Sequence, residues 1–168
     1  NPLGEGGERL HDWIVPLAAW RESHDQQGGE VNESARIVEE SRENIGAAVM
    51  GRNMFGPVGG GAWGDEQWTG WWGDNPPYHH PVFVLTHYPR EPLVMEGGTT
   101  FHFVTDGPEA ALRRAAEAAK GRDVRLGGGP STIREFVAAR LIDHMHIAVV
   151  PILLGRGQRL WDGFEGLE

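Results

Sequence analysis

Short apolar runs and amphipathic stretches follow one another through most of this chain. The apolar runs have the length and composition of strands, and apolar residues in the longer stretches recur at helical period. The predicted strands are 47–50, 82–86, 101–105, 124–126 and 144–150. The predicted helices lie around 10–17, over 34–44, after Asp106 and after the glycine run 127–129. This order predicts a single domain, 1–168, with a three-layer α/β fold: a mostly parallel sheet with helices on both faces.

Two of the predicted helix starts carry capping signals. Asp106 precedes Pro108, a favoured first helical residue, and Glu109 stands at the capping-box position. Thr132 and Glu135 have the spacing of a second capping box. The apolar faces that these helices are predicted to bury are Ala111, Leu112, Ala115 and Ala119 in the first, and Ile133, Phe136, Val137 and Leu141 in the second.

The strand 124–126 runs directly into Gly127-Gly128-Gly129-Pro130-Ser131-Thr132 and then into the last helix. Successive glycines allow positive φ and let a ligand approach the backbone, and the unpaired N–H groups of the helix start point toward that space. This combination favours an anion such as a phosphate. A glycine-rich turn without a ligand is the alternative for this segment taken alone.

Two further loops follow predicted strands, where ligands of parallel α/β sheets bind. Gly51-Arg52-Asn53 combines close backbone approach with a permanent cation, and we expect Arg52 beside a pyrophosphate. Thr86, His87 and Arg90 can receive an adenosine 2′-phosphate, which would select NADPH over NADH. Taken singly, each of these residues is also typical of an exposed polar loop. Together the three loops favour a dinucleotide.

Residues 56–81 interrupt the alternation of strands and helices with many glycines and prolines and with Trp63, Trp68, Trp71 and Trp72. The segment is too long and too aromatic for a plain connector. Its indoles can stack on a heteroaromatic substrate such as a pterin or pyrimidine, or pack against a partner subunit. We expect Trp71 or Trp72 near the substrate pocket and the other two tryptophans in structural roles.

The amino-acid composition restricts the classes of partner that the protein can bind and indicates where in the cell it is located. The chain has 168 residues, a net charge of −9 and no cysteine, which excludes disulfides and thiol catalysis. Its acidic balance and scattered basic residues argue against a nucleic-acid partner. The longest apolar run, 147–154, is too short to span a bilayer and contains Pro151. We expect a cytoplasmic protein that does not bind membranes.

The histidines do not form a metal site in this interpretation. His79 and His80 are adjacent, so in an extended segment their side chains point to opposite faces. His144 and His146 share a face of the predicted strand 144–150, but the sequence offers them no third ligand at a zinc-type spacing. We therefore predict no metal.

Four motifs in combination resemble the dihydrofolate reductase-like family. They are Met50-Gly51-Arg52-Asn53-Met54-Phe55, the stretch 79–87, the Gly127-Gly128-Gly129 loop, and 141–147 leading to 151–157. Within the family the chain is most similar to the branch of the C-terminal reductase domain of the bacterial bifunctional riboflavin-biosynthesis deaminase/reductase. The resemblance covers most of 46–163.

The resemblance implies an NADPH-dependent oxidoreductase that acts on a small molecule, and a homodimer. It places the cofactor phosphates at Gly51-Arg52 and at 127–132, and the adenosine ribose near Thr86-His87. Dihydrofolate reductases use a carboxylate on their first long helix as proton donor, and Asp12 is the nearest counterpart here, with Glu8 as a second option. Family members also have an N-terminal strand and further C-terminal strands, which we expect to be missing from these residues.

Three functions remain in consideration from the sequence. The leading one is an NADPH-dependent reductase of a small heteroaromatic compound. The second is a non-catalytic nucleotide-binding dimer that kept the phosphate loops and lost its proton donor. The third is another α/β protein that binds a phosphate ligand, for example a sugar phosphate, through the same loops.

Overall fold

The computed structural model describes residues 4–57, 59, 61–64 and 67–165. The chain divides into two compact units. The first contains the described residues up to Asn44 together with 146–157, and the second contains 45–145 together with the described residues from 158 onward. Within the described residues, no helix is long and apolar enough to cross a membrane. The single domain stays a prediction.

The first unit is built around helices α1 (Ala18–Glu22) and α2 (Glu33–Glu40), preceded by a short 3₁₀ helix, Gly7–His11. The helix predicted around 10–17 is wrong, because residues 12–16 form turns. Pro16 explains the break, since proline lacks an N–H group and its ring disfavours helical geometry in the preceding residue. The apolar residues of that stretch still pack together, with Leu17 buried against α2.

Helix α2 is four residues shorter than the predicted 34–44 helix at its carboxyl end, where residues 41–44 form a turn. Its start is capped by Asn32, whose side-chain oxygen accepts a hydrogen bond from the Ala35 N–H at 3.0 Å. Ala35 and Val38 form the buried face, while Ile37 is 36% exposed.

The second unit contains a sheet of five strands: β1 (Ile45–Gly51), β2 (Pro81–Leu85), β3 (Leu93–Val94), β4 (Thr100–Val104) and β5 (Asp123–Leu126). Their order in the sheet is β3-β4-β2-β1-β5. Only β3 is antiparallel to its neighbour. The mostly parallel sheet predicted from the sequence is therefore confirmed.

Three helices accompany this sheet: α3 (Arg52–Phe55), α4 (Pro108–Ala119) and α5 (Pro130–Ala138). Alternate residues of β1 point into two different apolar clusters, as strand geometry requires. Ala47 and Val49 join the cluster that contains the alanines of α4 and Phe136 of α5. Ala48 and Met50 join the cluster that contains Phe55 of α3 and the tryptophan-rich insert. The insert and α3 thus form the third layer of the α/β fold.

Two predicted details of the helix starts are wrong. The residues at the N-cap positions of α4 and α5 are Gly107 and Gly129, and neither start has a side-chain cap hydrogen bond. Asp106 forms an ion pair with Arg114 instead. Thr132 lies inside the first turn of α5 and is buried. The glycines supply backbone geometry at both starts, so the capping boxes are not formed.

The strand predicted over 144–150 is also wrong. These residues have no regular structure, and Met145, Ile147 and Val149 are 45%, 45% and 88% exposed. Alternating apolar residues form a strand only where a neighbouring strand accepts the backbone hydrogen bonds. No such pairing is made by this segment within the part of the chain that the structure describes.

Candidate functional site

The three loops singled out in the sequence follow β5, β1 and β2, which are neighbours in the sheet. Because these strands are parallel, their carboxyl ends lie at the same edge. The loop after β5 is bound directly to the end of β1. The Gly127 N–H donates to the Val49 carbonyl at 2.8 Å, and the Gly51 N–H donates to the Gly128 carbonyl at 2.7 Å. These two bonds fix the glycine loop beside Gly51-Arg52.

The three glycines of this loop have different surroundings. Gly128 is buried with φ +113°, which a residue with a side chain rarely adopts, and its peptide bond to Gly129 is cis. A Cβ on Gly127 would lie 3.2 Å from Cε of Met54. A Cβ on Gly129 would meet no atom within 4 Å. The loop therefore leaves open space only at Gly129, at the start of α5.

The start of α5 presents unpaired donors to this space. The first intrahelical bond is donated by the Ile133 N–H to the Gly129 carbonyl at 3.0 Å, so the N–H groups of Ser131 and Thr132 precede the hydrogen-bond ladder. The Thr132 side chain turns toward β1, where a Cβ on Gly51 would collide with its hydroxyl. Gly51 is thus required for close packing of β1 against α5, and the backbone of 129–132 suits an anion.

Arg52 and Arg90 lie close to the Trp63 ring. The guanidinium carbon of Arg52 is 3.7 Å from the ring centroid, and that of Arg90 is 4.8 Å from it. Arg52 Nη1 also donates to the carbonyl oxygens of Gly56 and Pro57. Burial lowers the pKa of Arg52 and the charge of Arg90 lowers it further, and burial also lowers the pKa of Arg90. Asn53, the third residue of this motif, is exposed.

The loop after β2 is organised differently from the expectation. Thr86 is buried, and its Oγ1 accepts a hydrogen bond from the Tyr88 N–H at 3.1 Å, which closes a local turn. His87 is exposed at the tip of that turn. The Thr86 hydroxyl therefore stabilises the loop, and the cation that this loop contributes to the site is Arg90.

The insert tryptophans are mostly built into the core. Trp72 stacks on Phe101 with ring centroids 5.9 Å apart and makes an edge contact with Tyr78. Trp68 donates its indole N–H to the Phe55 carbonyl at 2.9 Å. Trp71 is 37% exposed and contacts Trp68 edge to face. Of the two residues expected at the substrate pocket, Trp71 keeps exposed ring surface, whereas Trp72 has one ring face covered by Phe101.

Asp12 and Glu8 belong to the first unit, whereas all the expected cofactor residues belong to the second. Asp12 is exposed and terminates the 3₁₀ helix, so its expected place on an amphipathic helix is wrong. Its catalytic role stays a prediction. The residue that the sequence interpretation missed is Trp63, which was assigned a purely structural role. No local motif marks it, because its arginine neighbours are distant in sequence and meet it only after folding.

Comparison with known proteins supports the fold. A family model described as the RibD C-terminal domain matches residues 17–167, nearly the whole chain. A search of curated proteins found no match. The matched residues include the loops that follow β1 and β5 and the tryptophan-rich insert.

Proposed function

This chain belongs to the RibD C-terminal domain family, the dihydrofolate reductase-like branch of riboflavin-pathway reductases, and we propose that it is an NADPH-dependent reductase. Family membership indicates a reductase. NADPH as the cofactor, and a pterin- or pyrimidine-like heteroaromatic compound as the substrate, are the proposal. The observation that supports it most is the glycine loop fixed beside Gly51-Arg52, with open space at Gly129 in front of unpaired α5 donors.

The residues at this edge of the sheet fit a dinucleotide. The backbone N–H groups of Ser131 and Thr132, with the open Gly129, would hold the pyrophosphate. Arg52 and Arg90 supply positive charge near the same loops, as an additional phosphate on the adenosine ribose requires. A reduced nicotinamide bound here supplies hydride to the substrate. This charge at Arg52 and Arg90 is the reason to propose NADPH rather than NADH.

The substrate side of the proposal rests on fewer contacts. Trp71 offers exposed ring surface on which a flat heterocycle can stack, and its neighbour Trp68 holds it edge to face. Asp12 is the proposed proton donor by resemblance alone, because dihydrofolate reductases use a carboxylate on their first long helix. The proposed assembly is a homodimer, which sedimentation velocity would detect as a species of twice the chain mass.

The test is to follow oxidation of NADPH by the purified protein with oxidised pterins and with pyrimidine substrates offered in turn. A reductase should oxidise NADPH only when an accepted heterocycle is present. A protein that binds NADPH but never oxidises it would be the non-catalytic nucleotide-binding dimer instead. A protein that binds a sugar phosphate and not NADPH would be a different phosphate-binding α/β protein.

A further inference from the structure

In the second unit, two arginines contact the ring of one tryptophan. The α/β fold alone does not require this contact, because the three residues come from different segments of the chain. Arg52 follows β1, Arg90 follows β2, and Trp63 comes from the insert. Two guanidinium groups near one another repel, so an arrangement that brings them together needs compensation. The negative face of the indole supplies part of it, because cation–π attraction is strongest for tryptophan.

Among the residues that the structure describes, the two cations have no carboxylate partner. Neither arginine forms an ion pair with any residue that the structure describes. Arg52 Nε and Arg90 Nη1 are buried and donate no hydrogen bond to the described residues. A buried N–H group without an acceptor lowers the stability of the fold, because it has lost its hydrogen bond to water. The planar guanidinium group fixes the direction of each of its N–H bonds. Within the described part of the chain, the pair of arginines is thus two positive charges that no carboxylate neutralises.

Trp63 is itself held firmly. Its indole N–H donates to the Tyr88 carbonyl at 3.0 Å, which connects the insert to the loop that carries Arg90. Its ring packs edge to face on Phe55 and Phe103, with centroids 5.9 Å and 5.0 Å apart. Phe103 in turn lies 5.2 Å from the Arg90 guanidinium carbon. These contacts give the ring a fixed orientation, and through it they restrict both guanidinium groups.

We propose that Trp63 is a positioning residue that holds Arg52 and Arg90 as a two-arginine clamp for a dianionic phosphate monoester. This deepens the proposed function and rests on it: in the dinucleotide, the monoester is the phosphate on the adenosine ribose. A phosphate monoester carries nearly two negative charges at neutral pH and three acceptor oxygens, which match two guanidinium groups with free donors. A neutral ribose hydroxyl in the same place would leave the charges and donors unmatched.

The experiment compares two tryptophans of the same core cluster. Trp63→Leu removes the ring that both arginines contact, and Trp63→Phe keeps an aromatic face without the indole N–H. Trp68→Leu is the matched control, because Trp68 also packs in this cluster and donates to a backbone carbonyl, yet no arginine of the described residues lies over its ring. Each folded variant is titrated with NADPH, NADH, 2′-AMP, 5′-AMP and inorganic phosphate.

Trp63→Leu should lower the affinity for NADPH about tenfold while changing the affinity for NADH less than about twofold. Trp63→Phe should recover part of the NADPH preference, since a phenyl ring attracts cations more weakly than an indole. Trp68→Leu should leave the ratio of the two affinities unchanged even if it lowers the stability. The unaltered protein should prefer 2′-AMP to 5′-AMP and to inorganic phosphate.

Failure of the clamp and failure of the proposed function give different results. If the unaltered protein binds neither dinucleotide, the proposed function is wrong. If it binds NADPH and the Trp63 variants keep its preference over NADH, or Trp68→Leu loses that preference equally, the clamp is wrong. Inorganic phosphate binding as tightly as 2′-AMP would also overturn the clamp, because the site would then recognise free phosphate.

Discussion

The glycines of the loop after β5 differ in what a side chain would meet, and this decides which of them can report on a ligand. The sequence interpretation predicts that Gly128→Val blocks a pyrophosphate without disturbing the fold. The structure contradicts the second half of that prediction, because Gly128 has φ +113° and any side chain there is strained. Gly129 has φ −78° and open space, so it accepts a side chain.

Gly129→Val should therefore place a side chain where the cofactor phosphate would lie. We expect NADPH affinity to fall at least about tenfold, a loss of about 1.4 kcal/mol or more, with an unchanged melting temperature. Gly64→Val is the control, because a Cβ at Gly64 also meets no atom within 4 Å and lies outside the loop. Isothermal titration measures both variants. Normal NADPH binding by folded Gly129→Val would remove the loop from the site.

Arg52→Ala tests the charge at the end of β1. Loss of a charge-assisted hydrogen bond to a phosphate should weaken NADPH binding by about 1–3 kcal/mol. Arg113→Ala is the control, since Arg113 is exposed on α4. Binding of NADH separates two roles: a pyrophosphate contact would weaken both dinucleotides, whereas a ribose-phosphate contact would weaken NADPH alone. Unchanged affinity for both would exclude Arg52 from the site.

His102 makes the stability of the second unit depend on pH. It stacks on Phe83 with ring centroids 5.0 Å apart, and burial lowers its pKa below the ordinary 6.5. Above that value the histidine is neutral in the folded and the unfolded chain. As the pH falls below it, the unfolded chain binds a proton that the folded chain resists, so the free energy of unfolding decreases.

His102→Phe should keep the stack and remove this contribution. Urea unfolding at pH 7 and at pH 5 should then show a smaller loss of stability on acidification than in the unaltered protein. His80 contributes in the same direction, because burial lowers its pKa as well. If His102→Phe loses as much free energy of unfolding between pH 7 and pH 5 as the unaltered protein, His102 is not the source of the pH dependence.

Helix α4 packs on the sheet through alanines, which sets how close it can approach. Ala111, Ala115 and Ala119 are completely buried, and a Cβ on Gly46 of β1 would lie 2.6 Å from the Ala119 carbonyl oxygen. Ala115→Leu should overpack this contact and lower the free energy of unfolding by about 1–3 kcal/mol. Ala116→Leu, on the exposed face of the same helix, should change it by less than about 0.5 kcal/mol. Equal urea midpoints would contradict close packing.

Sequence patterns predicted best the strands that are buried on both faces and the helix with a regular apolar face. β1 and β2 read as short continuous apolar runs, and the alanine face of α4 repeats at helical period, so each was found near its true bounds. The wrongly predicted segments have regular apolar spacing, but they lack the continuous series of backbone hydrogen bonds that a helix or a strand needs. Pro16 disfavours the helix predicted around 10–17, and 144–150 pairs with no strand within the described residues.

The sequence predicts the part of the candidate site that is formed by loops at the carboxyl ends of parallel strands. Gly51 and the loop 127–129 could be placed together because parallel strands bring their carboxyl ends to one edge. The grouping of Trp63 with Arg52 and Arg90 could not, since it depends on the path of an irregular insert over the sheet. The turn that the Thr86 hydroxyl closes could not be predicted either, because residue type alone does not specify it.

In the whole molecule, net charge and local charge have opposite signs. The chain carries a net charge of −9, which disfavours polyanionic partners, yet the edge of the sheet where β1 and β2 end presents Arg52 and Arg90. A small anionic cofactor is compatible with both facts, because it needs only local positive charge and backbone donors. A long polyanion would instead meet the acidic remainder of the surface.

The central claim is that this edge binds NADPH, and a parallel fluorescence titration of the protein with NADPH and NADH tests it most directly. Quenching of the tryptophans and energy transfer to the reduced nicotinamide report binding. We predict saturable binding with at least a tenfold preference for NADPH. If neither dinucleotide binds, or if both bind equally, the claim of an NADPH-dependent reductase is contradicted.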